Sequence, residues 1–149
     1  MRDMKFRAWD KVAKKMYDSN SIAVAPNNGR FSEWCISGDG ITIRVDSKRF
    51  ILMQYTGFKD SVNKKEIYSD DLIKRSWNFK TLHGTQRKGS EIGRVSFDEQ
   101  TGQWEFFRDL KGLDIAKTEP LWEVLGGHDN YTSEIIGNVH DNPELLEES

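Results

Sequence analysis

Apolar and polar residues alternate along several short segments of the chain, which is the pattern of half-buried β-strands. The clearest case is a predicted hairpin in which alternating segments at 93–97 and 103–107 flank a polar turn at 98–102. Alternation places four large apolar residues on one face of this hairpin: Val95, Phe97, Trp104 and Phe106. A second hairpin is predicted near the N-terminus, where 6–9 pairs with 16–18 across a polar stretch.

Shorter patterns predict the remaining elements. Further strands are predicted at 41–45, at 50–55 as a fully buried run ended by Thr56-Gly57, at 66–68, at 70–73 with an extension through 77–79, and at 134–140. Polar composition predicts loops at 19–33, which contains a turn after Pro26, and at 83–90, a mobile basic segment. Short helices are predicted after Pro120 and after Asn142-Pro143. The sum is a mainly β chain with two short helical pieces.

Composition narrows the class of protein. The 149 residues suffice for one domain, and 11% aromatic residues are too many for a disordered chain. A formal charge of −2 excludes a broadly basic nucleic-acid binder but leaves room for a local basic patch. The single cysteine, Cys35, excludes an intramolecular disulfide. The charged N-terminus lacks the core of a signal peptide, and no apolar run approaches the roughly 20 residues that span a bilayer, so we expect a cytoplasmic protein without membrane contact.

Three segments together resemble the YopX family of phage and prophage proteins. They are MKFRAWD at 4–10 with Met16-Tyr17 behind it, LMQYTGFKD at 52–60 leading to KEIY at 65–68, and EIIGNVHDNPELL at 134–146. The family usually has glycine in the turn after the second segment, and here Asp70 takes that position, which predicts a positive φ kept at some cost.

The resemblance implies a fold and an origin more than an activity. It implies a mainly β (β-dominated α+β) domain over 1–149, in which an N-terminal β region at 1–55 precedes an SH3-like barrel region at 56–149 with short C-terminal helical pieces. It also implies an origin in phage or prophage genomes of Gram-positive bacteria. It carries no catalytic residue, metal or cofactor over to this chain, so none is expected.

Acidic residues cluster in the middle of the chain, at Asp60, Glu66, Asp70 and Asp71. Paired carboxylates can bind Mg²⁺ or serve as acid and base, so one hypothesis is a metal-dependent enzyme, such as a nuclease, that uses Glu66, Asp70 and Asp71. No recognised metal-ligand spacing supports it, and the simpler interpretation is solvated turn acids. The three histidines, which also lack such spacing, are predicted at the surface: His83, His128 and His140.

Basic residues are interleaved with aromatic ones between residues 74 and 88, directly after the acidic cluster. The candidate nucleic-acid or partner-binding residues are Lys74, Arg75, Trp77, Lys80, Arg87 and Lys88, with Phe79 and His83 among them. On a small barrel, such a rim can hold single-stranded nucleic acid through phosphate contacts and stacking. The same composition also fits an ordinary strand pair with aromatic side chains in the core and lysines in solvent.

Together with the family resemblance, which implies the phage origin, these patterns favour a non-enzymatic phage accessory protein that acts by binding in the host cytoplasm. Its partner is expected to be a host or phage protein, or nucleic acid. Barrel edges and the 83–90 segment would carry the contact. Self-association as a homo-oligomer through exposed strand edges is a further expectation.

Overall fold

The computed structural model describes residues 5–27, 30–38, 41–44, 48–110, 115–126 and 130–146, and their side chains at 5–22, 48–108, 118–126 and 130–145. The described chain is mainly β, and its strands are β1 (Phe6–Asp10), β2 (Lys15–Tyr17), β3 (Ile22–Asn27), β4 (Arg30–Gly38), β5 (Ile41–Arg44), β6 (Phe50–Lys59), β7 (Glu66–Tyr68), β8 (Asp71–Lys80), β9 (Gln86–Asp98), β10 (Gln103–Leu110), β11 (Ile115–Pro120) and β12 (Tyr131–Asn138). One α-helix, α1 (Leu121–Leu125), and 3₁₀ helices at Ser19–Ser21 and Pro143–Leu146 complete the secondary structure. None of the described helices is long and apolar enough to cross a membrane.

The chain divides into two compact units, Met1–Tyr55 and Thr56–Ser149. In the first unit, β1 pairs antiparallel with β2 and with the first half of β6, and Trp9 faces Met16 across the hairpin. This pairing confirms the N-terminal hairpin. Buried Ala8 and Phe50 form a hydrophobic cluster in this unit, against which partly buried apolar side chains pack: Tyr17, Ile22 and Leu52. Trp9 and Met53 are buried as well.

The loop predicted over 19–33 is wrong for most of its length, because β3 and β4 form an antiparallel pair there. Pro26 lies in β3 where the register shifts between Ala25 and Asn27, and β3 pairs with β4 alone in a three-stranded sheet with β5. An edge strand at a bulge tolerates proline, because the missing N–H has no ladder partner there. Asn28 and Gly29 of the predicted turn lie outside the described residues, as do the side chain of Cys35 and the last residue of the predicted strand 41–45.

The second unit is built on a five-stranded antiparallel sheet in the order β11-β10-β9-β8-β12, curled as a half-barrel. The predicted hairpin at 93–107 is confirmed, with Val95 opposite Phe106 and Phe97 opposite Trp104. The mainly β class is confirmed with it.

The core of this unit joins one face of the sheet to α1. Its buried residues are Ile67, Ile73, Val95, Phe106, Leu121 and Val124. The helix begins directly after Pro120 and ends at Leu125, and the N–H of the following Gly126 donates to the Glu123 carbonyl. The sequence predicted that glycine would stop this helix. Gly93 is required on β9, because a Cβ there would overlap the ring of Phe106.

Two predicted boundaries are wrong. Strand β6 does not end at Thr56 and is not fully buried. It continues because Gly57 adopts a φ of 88° while the Thr56 hydroxyl donates to the Ile67 carbonyl (2.8 Å) and accepts the Phe58 N–H (3.1 Å). The segment 83–90 is not a loop from end to end. The turn spans 81–85, closed by Thr81 N–H on the Thr85 carbonyl (2.8 Å), and β9 begins at Gln86.

Smaller differences concern the C-terminal part. Residues 118–120, predicted to open the helix, are the end of β11, and β12 begins at Tyr131, earlier than expected. The terminal helix is present as a 3₁₀ turn over Pro143–Leu146.

Candidate binding surface on the β8–β9 hairpin

The long pairing of β8 with β9 decides which face of the sheet each candidate side chain occupies. Nine residue pairs run without a shift from Leu72 opposite Arg94 to Lys80 opposite Gln86. Directly opposed residues of an antiparallel pair share a face, and successive residues alternate between faces. We call the face that carries core residue Ile73 the core-side face, and the opposite one the outer face.

The six predicted binding residues divide equally between the two faces. On the core-side face lie Arg75, Trp77 and, opposite Phe79, Arg87. On the outer face lie Lys74, Lys80 and Lys88. The structure therefore does not gather them on a single surface, although all six belong to one hairpin.

Three exposed cations surround the end of this hairpin: Lys80, Arg87 and Lys88. We call them the basic hairpin. Lys74 lies farther from the turn, opposite Glu134 of β12. Segment 72–90 contains no acidic residue, so no carboxylate of its own neutralises the basic hairpin. His83, exposed in the turn, adds a titratable group.

Three half-buried aromatic residues continue along the core-side face: Trp77, Phe79 and Tyr131. We call them the aromatic strip. The Tyr131 ring lies between the other two, with centroid distances of 6.3 Å to Trp77 and 6.2 Å to Phe79. The strip is not part of the core cluster of this unit. Gly89 lies beneath Trp77, where a Cβ would stand 2.6 Å from the indole ring.

Four charged side chains lie next to the aromatic strip, and we call them the ionic network: Arg75, Glu91, Arg108 and Glu119. The register places Arg75 and Glu91 between core residue Ile73 and Trp77 of the strip. Arg75 bonds Glu119 at 2.9 Å and lies 3.4 Å from Glu91, while Arg108 bonds both carboxylates. Their side chains are only 12–21% exposed, so solvent screens these pairs weakly.

Arg75 also faces the aromatic strip. Its guanidinium carbon lies 4.7 Å from the centre of the Tyr131 ring, a cation–π contact. Arg75 is thus held by two carboxylates and a ring, and an open pocket of about 420 Å³ adjoins it, lined by Glu119, Trp122, Glu123 and Gly126.

Asp60 and Asp71, which were expected to be solvated turn acids, are buried and accept hydrogen bonds from backbone N–H groups, so that expectation is wrong for both. Asp60 is fully buried and accepts the N–H groups of Asn63 (3.1 Å), Lys65 (2.9 Å) and Ile135 (3.0 Å). It ties the 60–65 turn to β12. Burial without such bonds would be costly, and these three bonds explain why a carboxylate occupies the position.

Asp70 and Asp71 point to different partners. Asp71 is buried and accepts the Tyr68 N–H at 2.8 Å. Asp70 has the positive φ that the sequence predicts, 69°, and contacts Arg94 at 2.7 Å and His140 Nε2 at 3.0 Å. In the part of the chain that is described, no group of three or more His, Cys, Asp and Glu side chains is arranged to hold a metal ion.

All three histidines were predicted at the surface, and the outcome differs for each. His83 is exposed as predicted, and His140 is largely covered beside Asp70, contrary to the prediction. His128 lies outside the described residues.

Sequence reasoning missed Tyr131 and the other three members of the ionic network, Glu91, Arg108 and Glu119. These residues come from β9, β10, β11 and β12, and only the strand order brings them beside β8. Of these residues, Tyr131 was the easiest to predict from the sequence. An aromatic residue just before the predicted strand at 134–140 would lie next to β8 if those strands paired.

The fold and the surface define a small, mainly β protein with a basic hairpin on a curled sheet. The family model of the YopX protein matches residues 5–147, and the chain belongs to the YopX family. It is similar to the SPbeta prophage-derived uncharacterized protein YopX of Bacillus subtilis (strain 168), at 25% identity over 145 residues that cover 95% of each chain. No solved structure matches the chain. The family resemblance inferred from the three sequence segments is confirmed.

Proposed function

We propose that this prophage-type YopX protein is a non-enzymatic binding module that acts on a host or phage macromolecule, protein or nucleic acid, in the bacterial cytoplasm. Its contact surface is the basic hairpin. The supporting observation is the contrast of charge: segment 72–90 carries five basic residues and no acidic one in a chain of net charge −2. Such a local field attracts acidic partners even when the whole protein is acidic.

The positions of the acidic side chains support a binding role over catalysis by carboxylates. Asp60 and Asp71 hold backbone N–H groups, and Asp70 is ion-paired to Arg94. Groups committed to the turns of the fold serve poorly as a general acid or base that must exchange protons with a substrate.

The test is affinity capture from a lysate of the prophage-bearing host, with and without nuclease. Three full-length proteins are compared: the natural chain, the triple variant Lys80→Glu, Arg87→Glu, Lys88→Glu, and a control, Lys11→Glu, Lys59→Glu, Lys65→Glu. The control reverses three exposed lysines elsewhere and changes the net charge equally.

We expect the natural chain and the control to recover the same macromolecule and the hairpin variant to lose it. Equal recovery by all three proteins, or recovery of nothing by any of them, would refute the hairpin as a contact surface.

A further inference from the structure

Of the basic hairpin, Arg87 adjoins the aromatic strip on the core-side face of the sheet, while Lys80 and Lys88 lie at the same end of the hairpin on the outer face. Phe79 of the strip lies directly opposite Arg87 of the hairpin, and Trp77 precedes Phe79 by two residues on β8. Side chains two residues apart on a strand are separated by about 7 Å. The rings of Trp77 and Phe79 are tilted by 41° and 37° to the Tyr131 ring, and together they form an aromatic surface that borders the exposed positive charge of Arg87.

We propose that the aromatic strip and the basic hairpin together bind single-stranded nucleic acid, with bases stacked on Phe79, Tyr131 and Trp77. Phosphates are held by Arg87 on the same face and, around the end of the hairpin, by Lys80 and Lys88 on the outer face. The inference rests on the proposed function and names the partner class. Every base offers a π-face, so stacking on aromatic side chains with nearby cations is the usual chemistry of single-strand binders.

The aromatic strip carries the distinction between single strands and other acidic partners. In a duplex the base faces are already stacked on one another, so a duplex can use only the cations. An acidic protein surface likewise needs the charges and gains no stacking from three rings in a row. At the spacing of side chains along a strand, the aromatic strip is long enough for about two or three bases.

Three features hold the rings in place for stacking. Gly89 lets the Trp77 indole lie flat against β9, because any larger residue would push it away. Arg75 contacts Tyr131 from the side of the ionic network. The network is charge-balanced, since Arg75 and Arg108 face Glu91 and Glu119.

The chain also supplies a matched control for the rings. Trp122 is 56% exposed and lines the open pocket, but its neighbours there include Glu119 and Glu123. Glu119 is already paired with Arg75 and Arg108, and the Glu123 carboxylate repels phosphates, so Trp122 is an exposed aromatic residue that the proposed path avoids.

The experiment is fluorescence anisotropy with a labelled single-stranded DNA and a single-stranded RNA of about 12 nucleotides, within the range of site sizes of such proteins. A duplex of the same length is measured in parallel, and every titration is repeated over a range of salt concentration. The proteins are the full-length natural chain, Phe79→Leu, Phe79→Tyr, Lys88→Gln and Trp122→Leu. Circular dichroism and thermal unfolding identify any variant that fails to fold.

We expect single strands to bind more tightly than the duplex. Phe79→Leu should weaken binding roughly tenfold, Phe79→Tyr should restore it, and Trp122→Leu should leave it unchanged. With three phosphate contacts, log affinity should fall against log salt with a slope of about −2, which Lys88→Gln reduces by about 0.7 while Phe79→Leu leaves it unaltered.

Several outcomes would overturn the inference. Equal affinity for duplex and single strand, or no effect of Phe79→Leu beside a strong effect of Lys88→Gln, would mean charge contacts without stacking. No binding of any oligonucleotide, combined with hairpin-dependent capture of a nuclease-resistant protein, would overturn the nucleic-acid partner while preserving the binding module. No oligonucleotide binding and no hairpin-dependent capture would remove both.

Discussion

Asp70 and Arg94 form an ion pair, with Oδ1 and Nη2 2.7 Å apart, across a turn in which Asp70 adopts a φ of 69°. That backbone conformation favours glycine. Two backbone bonds fix it: the Asp70 N–H donates to the Val95 carbonyl, and the Val139 N–H donates to the Asp70 carbonyl. The side chain therefore offsets, through Arg94 and His140, a backbone cost that glycine would not incur.

A comparison of Asp70→Gly with Asp70→Ala separates these two contributions. Both variants lose the ion pair, but alanine also keeps the unfavourable φ, so it should be less stable than glycine by about 1 kcal/mol. Denaturant unfolding measures the difference. Equal stability of the two variants would show that the turn relaxes away from positive φ when the side chain is lost.

Asp60→Asn tests the buried carboxylate that ties the 60–65 turn to β12. The amide presents N–H donors where Asn63, Lys65 and Ile135 also donate, so at least one buried N–H loses its acceptor. We expect a loss of about 1–3 kcal/mol in the free energy of unfolding. Glu99→Gln, an exposed acid in the β9–β10 turn, is the control and should change stability by less than about 0.5 kcal/mol. A loss no larger than the control's would contradict a structural role for Asp60.

In the first unit, Asp10 makes the stability of the fold depend on pH in the acidic range. Arg49 donates from Nε and Nη2 to the two carboxylate oxygens, at 3.0 and 2.9 Å, and Val12 and Ala13 donate backbone N–H groups. The hydrogen bonds from Arg49 are the main cause that lowers the pKa of Asp10 from 3.8 to about 2. Because the folded pKa is depressed, the carboxylate stabilises the fold above pH 3.8, and this stabilisation is lost as the pH falls from 3.8 to about 2.

Arg49→Met removes the main cause of that shift. The natural chain should be more stable than the variant at neutral pH, and the difference should shrink as the pH falls through this window. Urea unfolding at several pH values measures it, with the exposed Lys11→Met as a control for loss of positive charge. A difference that stays constant with pH would contradict the linkage.

Sequence patterns predicted correctly the elements that are determined by residues close together in the sequence. The hairpin at 93–107 follows from alternation on either side of a polar turn, and α1 follows from a proline before and a glycine after four apolar residues. The loop at 83–90 was mispredicted because exposed Arg87 and Lys88 give a strand the composition of a loop. Their pairing with Phe79 and Asn78 is not local information.

The candidate surface was predictable in its residues but not in its arrangement. The basic and aromatic side chains of β8 and β9 are visible in the sequence, whereas their division between two faces depends on strand register. Asp60 shows the same limit, because one of its partners, Ile135, is 75 residues away. Tyr131 completes the aromatic strip only because β12 pairs with β8.

The ionic network yields the last prediction, because its burial should make its members strongly interdependent. Removal of Arg108 leaves Glu91 and Glu119 with Arg75 as their remaining partner in the network, and an uncompensated buried charge is costly. A double-mutant cycle of Arg108→Met and Glu91→Gln should therefore show a coupling of about 1–3 kcal/mol in the free energy of unfolding. The matched control is the pair Lys74 and Glu134, which face each other on the outer face where Lys74 is exposed. Its cycle, Lys74→Met with Glu134→Gln, should give less than about 1 kcal/mol and decline with salt, whereas the network's coupling should persist. Equal couplings, or a network coupling abolished by salt, would mean that solvent reaches these four charges.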